Sequence, residues 1–297
     1  MKKATLKDIA RLAQVSIATV SYVLNKVSTQ TIPYETRCKV LEAAKELHYV
    51  PNLVARSLVM QKSGLIGILI NRSTPEGYWR KLRYSALIDY LERQLTEQGY
   101  HVVLSSLDAT SPKLDIISER KLDGVFLVDV KSDIFHHIST LFSTGVPLIV
   151  IDSLIEDPLF FKVVDNYQQI FSEILNTSNQ TNYYLVIDNF NNVEQLASIK
   201  QYSNLCEEDI HIMTNETELQ RFLLKQEGKQ GIIINEYISI LVAKYKKAST
   251  LTVICNAGCP EIVPAQAHYI SLGDQKLETA LNLMVQLLAD PISGNVG

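Results

Sequence analysis

From Gly64 onward, short β-branched apolar runs alternate with amphipathic helical stretches, and few folds accommodate that rhythm. The runs fall at 65–70, 102–105, 124–128, 147–151, 162–164, 183–187, 210–213, 231–234, 251–255 and 269–272. Helical patterns at 84–98, 168–175, 217–225, 236–247 and 276–288 lie between many of them. Repeated strand–helix units imply parallel sheets covered by helices on both faces, and ten strands exceed one tidy sheet. Two doubly wound lobes facing a cleft follow, with any ligand at the carboxyl ends of the strands.

The first 62 residues differ in kind. They hold ten Lys/Arg against four Asp/Glu, a balance of +6, while the remainder stands at −10. A small basic head on a large acidic body points the head toward a polyanion. At 6–13, Leu6, Ile9, Ala10 and Ala13 keep helical spacing, with Thr5 as N-cap and Asp8 three residues on. Gln14-Val15-Ser16 is too short for a loop, and Ser16 caps a second helix at 17–24. A third amphipathic helix, 34–47, offers Val40, Leu41, Ala44 and Leu47 to the core. Two short helices joined by about three residues form the helix-turn-helix arrangement, whose second helix reads the major groove.

That second helix has a legible chemistry. Ser16, Thr19 and Ser21 are hydroxyls suited to phosphates, and Asn25 adds an amide. Ile17, Ala18 and Tyr22 fall to base edges, the first two by apolar contact and Tyr22 through one hydroxyl. The helix offers no bidentate Arg–guanine pair, so direct readout is modest. After Pro51, a short helix with Val54, Ala55 and Leu58 on its apolar face and Arg56 beside them fits a minor-groove wedge, followed by a polar tether at 61–64.

Several function classes drop out. No apolar run approaches the roughly 18 residues of a membrane span. Met1-Lys2-Lys3 resembles the start of a signal peptide, but Lys7, Asp8 and Arg11 interrupt any apolar region after it, so a cytoplasmic protein is expected. Four cysteines give no disulfide framework, and Cys255 and Cys259 lack a second ligand pair, so neither metal nor cofactor is expected. Phosphate loops, nucleophile elbows, His-Glu-x-x-His and dinucleotide turns are all missing from the sequence, which argues against an enzyme. The rival is a sugar-binding protein without a DNA role.

The string Thr5-Leu6-Lys7-Asp8-Ile9-Ala10, Val15-Ser16, Ala18-Thr19-Val20-Ser21 and Val23-Leu24-Asn25 resembles the headpiece of the LacI/GalR (lactose-repressor) family. Glu35-Thr36-Arg37, Tyr49-Val50-Pro51-Asn52, Ala55-Arg56-Ser57-Leu58 and Ile66-Gly67 continue the pattern in order. The resemblance implies an all-α helix-turn-helix headpiece at 1–50, a hinge helix and linker at 51–63, and a two-lobed periplasmic-binding-protein-like (type I) core at 64–297 for effector binding and dimerisation. It implies a homodimeric repressor on palindromic operator DNA, with Thr5, Leu6, Asn52 and Ala55 joining the DNA contacts and Leu58 as the wedge. Gly99-Tyr100, Leu122-Asp123-Gly124, Gly145-Val146-Pro147 and Val164-Asp165-Asn166 match signposts of the family's core.

Three departures stand out in the head. Gln14 replaces the Gly or Asn that tolerates a left-handed turn, Tyr22 stands where many members carry Arg, and the chain carries extra residues around Ile32-Pro33. In the core, Asp152 fits an effector position, or else caps a strand edge. The family's Arg aligns with Ser198, its Asn-Asp with Asn235-Glu236, and its Gly-Phe-Asp with Cys255-Asn256-Ala257. Asp165-Asn166 reads as closing a turn, and no run after 291–294 supplies the family's last strand. The eroded set implies an effector other than an ordinary free sugar, or a protein co-regulator in its place.

Overall fold

The structure is a computed structural model describing residues 4–25, 31–49, 62–72, 77–108, 121–142, 145–177 and 182–289. Asn52, Ala55 and Leu58, with the rest of the expected hinge helix, lie outside the described residues. The chain divides into two compact units, residues 1–63 and 64–297.

The first unit contains helices α1 (Leu6–Ala13), α2 (Ile17–Leu24) and α3 (Tyr34–Glu46). The Thr5 amide and hydroxyl both donate to Asp8 Oδ2, at 2.9 and 2.7 Å, which fastens the start of α1. Gln14 ends α1 at φ 54°, ψ 43°, so the left-handed turn is made without the glycine that would adopt it freely. Ser16 Oγ then accepts from the Thr19 amide at 3.0 Å and starts α2. Ile9, Val20 and Val40 are wholly buried and join the three helices. Leu41, expected in that core, is exposed: Val40, Ala43, Ala44 and Leu47 already occupy the inward stripe, and the next residue points about 100° away from it.

The second unit holds two five-stranded parallel sheets. One has the order β2 (His101–Asp108), β1 (Leu65–Arg72), β3 (Gly124–Val128), β4 (Leu148–Ile151), β5 (Phe161–Val163). The other has the order β10 (His268–Ser271), β9 (Leu251–Cys255), β8 (Gln230–Ile234), β6 (Tyr183–Ile187), β7 (Ile210–Ile212). All ten anticipated strands are present. The central β3, β4 and β6 are buried throughout, as parallel strands covered on both faces must be. Gly99 (φ 87°) and Gly145 (φ 89°) make the left-handed turns that lead into β2 and toward β4.

Helices α4 (Tyr78–Arg83), α5 (Ser85–Glu97) and α6 (Ser132–Ser139) accompany the first sheet in sequence. Helices α7 (Tyr167–Thr177), α8 (Val193–Ser203), α9 (Glu216–Leu224) and α10 (Glu236–Val242) accompany the second. The last described helix, α11 (Gln275–Ala289), returns to the first lobe, where Leu277, Leu281 and Met284 pack with Leu91, Phe126 and Ile149. The chain therefore crosses between lobes after β5 and again after β10. Helices α4, α6 and α8 were not singled out in the sequence. Short helices whose buried faces include Arg80, Arg83 and Gln195 lack a clean apolar stripe. The helix expected over 236–247 stops at Val242.

Candidate functional site

On the head, the start of α2 forms an open face. Ser16, Ile17, Ala18 and Tyr22 are exposed, although two of them are large and apolar. The hydroxyls are less free than the sequence suggested. Ser16 and Thr19 bond each other at 2.8 Å, and Asn25 Nδ2 donates to Ser21 Oγ at 3.1 Å. Thr5 is exposed at the start of α1, whereas Leu6 is half-buried against the head core.

In the core, polar residues follow the strand ends in a repeating way. Asp129 follows β3, Asp152 follows β4, Asp188 follows β6, Asn235 follows β8 and Asn256 follows β9. The backbone amides of Asp129, Asp152 and Asn235 still extend the ladder, to Ile151 O, Val163 O and Ile254 O. Their own φ values of 53°, 56° and 95° then turn the chain sharply. Left-handed non-glycine residues are costly, and three at the carboxyl ends of strands mark a site where the surrounding structure enforces the conformation.

The two lobes meet through a buried ionic cluster. Arg83 Nη1 donates to Asp188 Oδ2 of the second lobe at 3.0 Å, and its Nη2 donates to Asp129 Oδ2 of the first at 2.9 Å. Arg80 Nη2 adds a bond to the same Asp129 oxygen at 3.0 Å. The Arg83 guanidinium lies between the rings of Tyr84 and Phe190, 4.4 and 4.3 Å from their centroids. The Asn191 amide donates to Asp129 Oδ1 at 2.9 Å, and Asn191 Nδ2 donates to Asn71 O at 2.7 Å. Asn192 caps α8 while bonding Val130 O and Leu154 O across the divide. Burial pushes the Asp129 carboxyl up to about 6, in spite of both guanidiniums.

Beside this cluster lies a recess of about 240 Å3, lined among others by Tyr84, Asp152, Asp165, Asn256, Asp274 and Lys276. That volume is below the roughly 300–1,000 Å3 of drug-sized ligand sites. Lys276 Nζ donates to Asp152 Oδ1 and Asp165 Oδ2, both at 2.7 Å, pinning α11 to the crossover after β5. These carboxylates keep the Lys276 ammonium protonated well above its ordinary range, against the opposing effect of burial. Burial and the neighbouring Asp152 push the Asp165 carboxyl up.

The four expected effector residues separate. Asp152 and Asn256 line the recess together; Ser198 and Asn235 are not among its lining residues. Asn235 is wholly buried, its Oδ1 capping α10 through the Tyr237 amide at 2.9 Å. Ser198 sits half-buried on α8. Asp165, read as closing a turn, lines the recess, and its neighbour Asn166 caps α7 through the Gln169 amide. No sequence motif marks Arg80, Arg83, Asp129, Asp188 or Lys276. The available signal was the recurrence of Asp or Asn directly after the apolar runs.

The family profile described as "Bacterial regulatory proteins, lacI family" matches residues 5–52. The chain is 34% identical over 172 residues to the HTH-type transcriptional repressor PurR of Vibrio cholerae serotype O1 (strain M66-2), covering 56% of this chain and 48% of the relative. The PurR of Vibrio campbellii is 33% identical over the same length and coverage. The chain thus spans about half the length of the curated relatives it matches. Among solved structures, the lac repressor dimer bound to operator and the anti-inducer ONPF aligns with a TM-score of 0.70 at 20% identity, covering 98% of this chain and 94% of that one. The transcriptional regulator CelR–cellobiose complex aligns at 0.57 and 17%, covering 99% and 95%. These structures share the fold: a helical head and a two-lobed, periplasmic-binding-protein-like parallel α/β core. Residues 5–52 thus match the head of the lacI family of bacterial regulatory proteins, and the core behind them shares the fold of the lac repressor.

Proposed function

We propose that the protein is a transcriptional repressor that binds a palindromic operator as a homodimer, with operator affinity set by what occupies its core. The observation that carries this reading is the exposed start of α2, where Ser16, Ile17, Ala18 and Tyr22 stand open on a unit of charge +6. Ile17 and Tyr22 stand outside the buried core of the head, and they suit thymine methyls and base edges. One head binds weakly and through phosphates, so two heads on one palindrome make the site specific. On this reading Leu58 is the minor-groove wedge, with Thr5, Asn52 and Ala55 supporting the contacts, and the protein works in the cytoplasm as a regulator, not as an enzyme.

The core supplies the second copy and the switch. An effector or a protein co-regulator changes operator affinity only by binding the two lobe arrangements differently. Genomic footprinting with the purified full chain, followed by anisotropy titration on the protected palindrome and on a scrambled duplex, tests the reading. Protection of discrete twofold sites with steep salt dependence is expected. Equal affinity for both duplexes overturns it.

A further inference from the structure

The recess beside Lys276 is chemically lopsided, and the imbalance names the kind of molecule that suits it. Three carboxylates line it, Asp152, Asp165 and Asp274, against two cations, Lys276 and Arg83. Both cations are already committed. Lys276 is shared between Asp152 and Asp165, and Arg83 gives both terminal nitrogens to Asp129 and Asp188 outside the recess, with its buried Nε left without a partner. An anionic ligand therefore finds no available counter-charge among the described lining residues.

Polyols fare little better. They are held by bidentate Arg and by amides that match each hydroxyl. The amide of this lining, Asn256, already gives Nδ2 to the Tyr167 hydroxyl at 3.4 Å, and its buried Oδ1 has no partner. Tyr84 is 2% exposed, lines the recess, and its hydroxyl has no partner either. Buried polar atoms without partners are costly unless something else completes them. Three carboxylates stand against two cations, so the local charge of the lining is negative. An ammonium group supplies three donors and the missing positive charge at once.

We propose that this recess takes a compact ammonium-bearing molecule, with Asp152, Asp165 and Asp274 as its counter-charges and Asn256 and Tyr84 completing its hydrogen bonds. The proposal rests on the reading of the cleft as the effector site, and it names the effector's chemistry. Small size follows from the recess volume of about 240 Å3, since Arg83 and its flanking rings fill the space alongside.

A matched four-carbon series tests it on the full chain: 1,4-diaminobutane, 1,4-butanediol and succinate, read by thermal shift and by ligand-observed NMR competition. The diamine is expected to bind saturably, at least tenfold tighter than the diol, with no binding of succinate. Asp274 is exposed, so Asp274→Asn leaves the unliganded melting temperature unchanged and weakens the diamine by about two- to fivefold, as for a partly screened ion pair. Asp152→Asn weakens it further. Equal binding of diamine and diol, binding of succinate, no millimolar binding of the diamine, or an Asp274→Asn variant that binds as well as the parent overturns the assignment. Duplex binding is measured on the same preparation. Operator recognition with no amine binding sinks this proposal alone, and loss of duplex selectivity sinks the repressor reading whatever the amine does.

Discussion

Arg83 and Asp188, 105 residues apart in the chain, form a buried ion pair at 3.0 Å that ties the two lobes of the core together. In a two-lobed binding fold the space between lobes is where a ligand bridges them. Here a side chain of the protein does part of that bridging.

Removing Arg83 leaves Asp188 without its ion-pair partner and leaves Asp129 with Arg80 alone. Arg83→Met is expected to destabilise the core by about 3–5 kcal/mol, the cost of stranding a buried charge. Arg83→Met/Asp188→Asn should recover part of that loss, because the second change removes the stranded charge. Urea unfolding of the four proteins closes the cycle. Additive losses would show that the pair is not coupled.

Asp129 gives the cluster a pH signature. Its carboxyl is raised from 3.8 to about 6, so the folded core holds this proton to a higher pH than the unfolded chain does. Between those values the native state binds more protons, and stability falls as pH rises through the window. The fall amounts to about 3 kcal/mol from this group. Asp165 acts in the same direction. Urea midpoints at pH 4, 5 and 6 for the parent and for Asp129→Asn should show a shallower decline in the variant; parallel profiles would contradict it.

Gln14 holds a left-handed conformation at the turn between α1 and α2. Gln14→Gly is expected to stabilise the head by about 1 kcal/mol, since glycine avoids the Cβ clash at a modest entropic cost. Native-state amide exchange on the full chain reads this as about fivefold slower exchange at Ile9 and Val20, with core amides unchanged. Gln14→Val should act in the opposite sense, because a β-branched residue tolerates this turn worst.

Tyr22 is exposed on α2 and offers one hydroxyl. Tyr22→Arg introduces a bidentate partner for guanine, worth about 1–3 kcal/mol of discrimination at one base pair. Randomised-site selection should enrich guanine at a symmetric pair of positions that the parent leaves open. An unchanged consensus would place Tyr22 outside the groove.

The elements that could be read directly are those set by local rules. Ten strands announced themselves as β-branched runs, and the head did so through cap residues and 3.6-residue spacing, because each depends on neighbours a few positions away. Gln14 belongs to the same class: two helices three residues apart demand a sharp turn, whatever side chain occupies it.

The cleft obeys a different logic. Helix α4 is not legible in the sequence because it turns Arg80 and Arg83 inward, and a buried charge is stable only with a partner that the parallel crossover brings in from far along the chain. The same crossover sets Lys276 between Asp152 and Asp165, and removes Asn235 from the recess by spending its side chain on a helix cap. Periodicity reports which face of an element is buried. Which distant charges meet there depends on strand order and on the return of α11 to the first lobe, and these are properties of the assembled chain.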